Sequence, residues 1–187
     1  MMRSAAVPTS LLALALLAGG CGYNRIQTMD EEINQAKGQI ETQLQRRADL
    51  IPNLVETVKG VAKQESTIFT SIAESRARLS GAVQSGDVGE MAKANQELTQ
   101  GIGRLLAIVE NYPELRSSES FRALQDQLEG TENRISVARQ DYNAAVGGYN
   151  AYIRKFPYNL TAKIFGQGPR EYFEAAPGAE EAPKVKF

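Results

Sequence analysis

The residue of this 187-residue chain with the clearest chemistry is its single cysteine, Cys21. It follows an apolar stretch of Leu11, Leu12, Leu14, Leu16 and Leu17 with interspersed Ala, and then the small residues Ala18, Gly19 and Gly20. A positive start at Arg3, an apolar run and small residues before a cleavage point have the layout of an export signal. A cysteine at that point reads as a lipid acceptor, so residues 1–20 form a signal peptide and Cys21 becomes the acylated N-terminus. The usual arrangement puts Leu, a small residue and Gly or Ala before the Cys; here Leu17 stands one place further upstream and Ala18 takes its position. The bland alternative is a buried or spare thiol. The run from Leu11 to Ala18 is well short of the ~20 residues that span a hydrocarbon core, and Pro8 precedes it, so a spanning helix is the weaker reading. Each buried acyl CH₂ contributes ~0.8 kcal/mol, enough for a multiply acylated Cys to hold a domain durably at a bilayer. With Cys21 so used, the chain has no disulfide.

Little else points to chemistry. There is no His, which removes the commonest general base and the commonest zinc ligand together. A Ser-Lys pair is the remaining route to a hydrolase. Carboxylates are plentiful but spread over helix surfaces, with no pair in an apolar setting that would separate their pKa values, so neither a metal site nor a cofactor is expected. The glycines at Gly60, Gly101, Gly103 and Gly147-Gly148 lack phosphate-loop spacing and read as points of close helix approach. Arg46, Arg47 and Asp49 beside Pro52 could form a partner-docking patch, since Arg pairs carboxylates bidentately and a kink exposes carbonyls; the alternative is a salt-bridge face that fixes the kink. Glu132 and Arg134 around Asn133 invite the same two readings, the structural one favoured. Tyr142, Tyr149 and Tyr152 could line a ligand groove but read more readily as core, with hydroxyls at the bundle edge. Lys and Arg number 21 against 22 Asp and Glu, and losing Arg3 with the signal leaves 20 against 22. That balance gives no footprint for nucleic acid or acidic lipid.

The elements that must position these residues are helical throughout. After Cys21, Ala, Leu, Gln, Glu and Arg dominate, without the alternation a strand needs. The expected fold is all-α, an elongated antiparallel bundle of about four helices with coiled-coil-like packing, over residues 28–166. Residues 21–27 are expected as a short linker and 167–187 as a flexible tail. A first helix should start near Thr28 or Asp30 with the stripe Met29, Ile33, Ala36, Ile40, Leu44, Ala48, Ile51, Val55, Val58 and Ala62. Because that stripe keeps its phase through Pro52, a kinked continuous helix is favoured over a break capped by Asp49. Ile68, Phe69, Ile72, Leu79 and Val83 carry the pattern on to a turn at Gly81, Gly86 and Asp87. A further helix reads from about Val88 to Asn111, ending at Tyr112-Pro113. A long one reads from about Ser117 to Phe156, with an a/d seam from Phe121 through Tyr142, Ala145, Tyr149 and Tyr152 to Phe156. A short segment from Asn159 to Phe165 adds a turn or two.

Particular strings of residues also resemble a known family. Gly22-Tyr23-Asn24, the run from Gln45 through Ile51-Pro52-Asn53 to Gly60, Tyr112-Pro113-Glu114-Leu115, Thr131-Glu132-Asn133-Arg134-Ile135, Tyr142-Asn143, Tyr149-Asn150, Phe156-Pro157 and Phe165-Gly166 closely resemble the LemA family. The resemblance implies a membrane-anchored protein with an N-terminal hydrophobic segment, an exported helical bundle and no known enzymatic activity. Many members keep that segment as a transmembrane anchor, whereas here it ends at Cys21, which favours a lipid over a span.

The expected function is therefore that of a non-enzymatic, lipid-anchored scaffold or adaptor. It would hold to the membrane through Cys21 and bind another cell-envelope protein. A carrier of a small apolar ligand or lipid within the bundle is the alternative. In a Gram-negative cell, Gly22 is not the Asp that commonly retains lipoproteins at the inner membrane, so the outer membrane facing the periplasm is the expected location.

Overall fold

The computed structural model describes residues 7–62 and 64–173, with side chains from Gly22 onward. The side chains of residues 7–21 and all of residues 1–6, 63 and 174–187, on which the expected signal peptide, the expected acylation of Cys21 and most of the expected tail fall, lie outside the described residues. Among the described residues every regular element is helical: α1 (Val7–Lys59), α2 (Ser66–Ser85), α3 (Val88–Val109), α4 (Pro113–Ser117), α5 (Glu119–Tyr152) and α6 (Tyr158–Ile164). The all-α fold is as expected.

The α1 stripe faces inward along its whole length. Met29, Ile33, Ala36, Ile40, Leu44, Ala48, Ile51, Val55, Val58 and Ala62 are all buried, the last just beyond the helix end. The helix does not begin at Thr28 or Asp30 and no linker occupies 22–27. Ile26 is already fully buried, and the Thr28 hydroxyl donates to the carbonyl of Asn24 one turn back rather than capping. At Pro52 the helix continues. Proline has no N–H to give the carbonyl of Ala48, four residues earlier, and its ring crowds that carbonyl. Arg76 of α2 supplies the missing donor, its Nε reaching Ala48 O at 2.8 Å.

The described residues fall into two compact units. The first takes α1 up to Ala36, the end of α5 from Asp141, α6 and the segment up to Tyr172. Its core comprises Ile26, Met29 and Ile33 of α1 with Tyr142, Val146 and Tyr149 of α5, Ile153 just after it, and Ala162 of α6.

The second takes α1 from Lys37, then α2, α3, α4 and α5 up to Gln140, together with Phe173. Gly86 closes α2 in the left-handed region at φ 69°, and the Asp87 carboxylate then accepts from the Glu90 N–H to start α3. Gly81, expected in the turn, lies inside α2. Where α2 and α3 cross, Gly101 marks a close approach, since a Cβ there would sit 3.1 Å from Cγ1 of Ile72. Gly103 has open space beside it, so close approach does not explain it. Ser118 accepts from the Phe121 N–H and begins α5.

The α5 seam departs from a strict heptad. Phe121, Leu128, Thr131, Ile135, Ala138 and Tyr142 are buried as expected, but the pattern then passes to Val146, Tyr149 and Ile153, leaving Ala145 and Tyr152 half-exposed. A straight helix drifts ~20° per heptad against a 3.5-residue repeat, so over five heptads the inward face moves by about one residue. Phe156, expected to close the seam, is 80% exposed because α5 has ended at Tyr152.

Candidate functional site

The expected docking cluster does not form on one face. Arg46 and Asp49 are exposed, the latter accepting from Gln45 Nε2 one turn earlier. Arg47 turns inward, its side chain 5% exposed, and its guanidinium pairs with Glu132 of α5 and donates to Asn95 Oδ1 of α3 at 2.7 Å. Burial lowers its pKa from the ordinary guanidinium value while Glu132 opposes that shift. An arginine shared among three helices in this way fixes their register. It is the salt-bridge reading of the cluster that Arg47 adopts, and the exposed pair Arg46 and Asp49 is what remains at the surface.

In the first unit the tyrosines of α5 hold the chain's own C-terminal segment. Tyr142 donates its hydroxyl to the carbonyl of Glu171, and Tyr149 to Oε1 of Gln167. Asn150 pairs its amide with a whole peptide unit: Nδ2 donates to Arg170 O at 2.9 Å and Oδ1 accepts from Arg170 N at 2.8 Å. The Arg170 guanidinium reaches α1, giving Nε–H and Nη2–H to Oδ1 of Asp30. Residues 167–173 are therefore not part of a flexible tail, and Phe173 is buried. The reason is side-chain bonding to the backbone, which local composition does not announce. Tyr142 and Tyr149 are core residues with engaged hydroxyls, not an open ligand groove, and Tyr152 stacks on Tyr158 at 4.3 Å.

The helices that carry these contacts are also the region of likeness to known proteins. The LemA family model matches residues 36–187. The chain belongs to the LemA family. Its similarity extends to "Magnetosome protein MamQ 2" and "Magnetosome protein MamQ 1" of Paramagnetospirillum magneticum, each 30% identical over 84% of this chain and 66% of theirs. "Magnetosome protein MamQ" of Magnetospirillum gryphiswaldense is 29% identical over the same shares. The chain thus spans just under two thirds of the length of these relatives.

Within this LemA-family frame, the remaining chemical candidates find mundane partners. Ser85 and Lys93 line one surface cleft, yet the Ser85 hydroxyl donates to Ala82 O and the Lys93 ammonium to Glu90. No cluster of three or more His, Cys, Asp or Glu with metal-binding geometry occurs among the described residues. None of their helices is long and apolar enough to cross a membrane. An open cleft of about 500 Å³ lies between α1 and α2, lined by Val55, Lys59, Ser66, Phe69, Thr70 and Ala73. Lys59 covers part of it, its ammonium 5.8 Å from the centre of the Phe69 ring. Arg76 is the positioning residue that sequence reasoning missed; the signal was Pro52 itself, which frees a carbonyl that some donor must meet.

Proposed function

We propose that this LemA-family chain is a non-enzymatic protein of the cell envelope, held to a membrane by acylation of Cys21 and acting as a scaffold or adaptor for another envelope protein. What supports the anchor is the sequence that leads into Cys21. An export-type apolar segment ends at the only Cys, and the helix runs on without a linker into Ile26, which is fully buried. A lipid on Cys21 would therefore hold the first unit directly at the bilayer surface. In a Gram-negative cell the outer membrane is the proposed site, facing the periplasm. The adaptor role is supported by surfaces rather than pockets, with Arg46 and Asp49 on α1 as the proposed docking pair. The names of the relatives give a location, the magnetosome, and no reaction.

Intact mass of the membrane-extracted protein tests the anchor. Cleavage before Cys21 with an added acyl mass is expected, and a Cys21→Ser chain should lose that mass and leave the membrane; an uncleaved N-terminus would refute it. Cross-linking in cells followed by purification tests the adaptor role, which fails if no envelope protein is recovered from anchored material. The carrier reading rests on the Val55–Phe69 cleft alone, and lipid bound to gently purified protein in native mass spectrometry would favour it.

A further inference from the structure

The part of the first unit that begins at Gly22 presents an apolar face fringed by cations. Leu160 and Ile164 are one turn apart on α6, and Phe156 precedes Leu160 by four residues. All three are exposed, Phe156 at 80% and Ile164 at 78%. Phe165, beside Ile164, is exposed as well, although its ring meets that of Tyr23 with centroids 4.4 Å apart. Four large apolar side chains exposed within residues 156–165 mark an interaction surface rather than scattered single exposures. Residues 153–169 also contain three exposed cations, Arg154, Lys155 and Lys163, and no Asp or Glu, in a chain whose net charge is −1. The balance of the whole chain conceals this local excess. Helix α6 is held against α1 on its other side, where Gly22 packs so tightly under Tyr158 that a Cβ there would fall 2.8 Å from the ring. Gly22 directly follows Cys21.

We infer that α6, with Phe156 and Phe165, rests in the surface of an anionic lipid bilayer. The four apolar side chains enter the boundary between headgroups and acyl chains, and Arg154, Lys155 and Lys163 extend to the phosphates. A bilayer is the occupant because α6 packs through Tyr158 against the residue next to the proposed lipid acceptor, which holds the exposed face near the membrane whenever the anchor is in place. Arg154, Lys155 and Lys163, with no ion pair among the described residues, match a phosphate-rich surface in the same way. The inference rests on the lipid-anchor reading above.

The test uses the full-length acylated protein in vesicles of phosphatidylethanolamine and phosphatidylglycerol. Cys21 is blocked by its lipid, so a Leu160→Cys chain takes the dye NBD at that position alone; a Gly103→Cys chain serves as the exposed reference. Emission from position 160 is expected to shift to the blue, brighten by about twofold or more, and be quenched by spin labels on the lipid chains, with neither effect at position 103. A Lys155→Glu, Lys163→Glu double exchange should reduce the quenching while flotation with the vesicles persists. Floating protein whose position 160 emits like position 103 overturns the inference and leaves the anchor standing. Blue-shifted but unquenched emission overturns it too, because a second copy or a protein partner then covers the face. Protein that does not float overturns the anchor reading and this inference together.

Discussion

Arg47 carries the sharpest energetic consequence of the side chains described above, because its charge is removed from water and met, among the described residues, by Glu132 and Asn95. Truncation by Arg47→Ala strands Asn95 and opens a void, and should destabilise the protein by about 2–4 kcal/mol in urea unfolding followed by circular dichroism. Arg47→Met, which keeps most of the volume, should lose less than Arg47→Ala. Glu132→Gln should also lose less, since the Glu132 side chain is 48% exposed and water can take its place. An Arg47→Ala protein within about 0.5 kcal/mol of the parent would contradict this ranking. Tyr149 gives a pH signature. Burial is the main cause that raises its pKa above the ordinary 10.0, and burial raises Tyr142 likewise. Both phenols are neutral in folded and unfolded chains at neutral pH, so they contribute no pH dependence there. Above about pH 10 the unfolded chain sheds these protons while the folded chain retains them, so stability should fall as pH rises from that value. Tyr149→Phe should lose about 1 kcal/mol at about pH 7 and show a shallower alkaline decline, measurable by comparing urea midpoints there and at about pH 11. The tyrosines were recognisable as core residues from their spacing. The partners of Arg47 were not, because Asn95 lies 48 positions away and only packing brings it near.

At the scale of helices, the passage of α1 through Pro52 depends on a donor from α2. If Arg76 replaces the hydrogen bond that Pro52 cannot make, the two positions are coupled. Arg76→Ala should cost about 1–2 kcal/mol in the parent and clearly less in a Pro52→Ala background, where the substituted residue regains an N–H that can itself reach the Ala48 carbonyl. Equal losses in both backgrounds in this double-mutant cycle would dismiss the coupling. The α2–α3 crossing offers a second comparison. Gly103→Ala, with nothing within 4 Å of the new Cβ, should stabilise α3 by about 0.5–1 kcal/mol, whereas Gly101→Ala should fail to gain it because Ile72 stands in the way. The α1 stripe from Met29 to Ala62 was readable, since a 3.6-residue period needs no knowledge of what lies opposite, though Ile26 before it and Leu54 beside it are buried as well. The drift of the α5 seam after Tyr142 was not, because it depends on how far the helix supercoils. Residues 167–173 were hidden for another reason: Gly166, Gly168 and Pro169 suggest a loose tail, and order comes only from Tyr142, Tyr149 and Asn150 on another element.

For the whole molecule, class and family were legible in the sequence, while the role of the anchor rests on a residue whose side chain lies outside the described region. A chain with Cys21→Ser should move to the soluble fraction yet melt with an unchanged helical transition, because none of the core residues named above depends on the lipid. A lowered melting temperature alongside release would show that acylation also supports the fold. The first unit is assembled from residues at both ends of the described chain, with Lys37–Gln140 intervening. Asp30 and Arg170, which join them, are 140 positions apart. At ~5–20 residues per second, Asp30 leaves the ribosome on the order of ten seconds before its partner exists. Synthesis is vectorial, so Lys37–Gln140 can make their mutual contacts first, whereas the segment nearest Cys21 must wait for Gln167, Arg170 and Glu171 to emerge. A nascent chain cut short before Arg170 would carry Cys21, the proposed lipid acceptor, beside a first unit that had not yet closed.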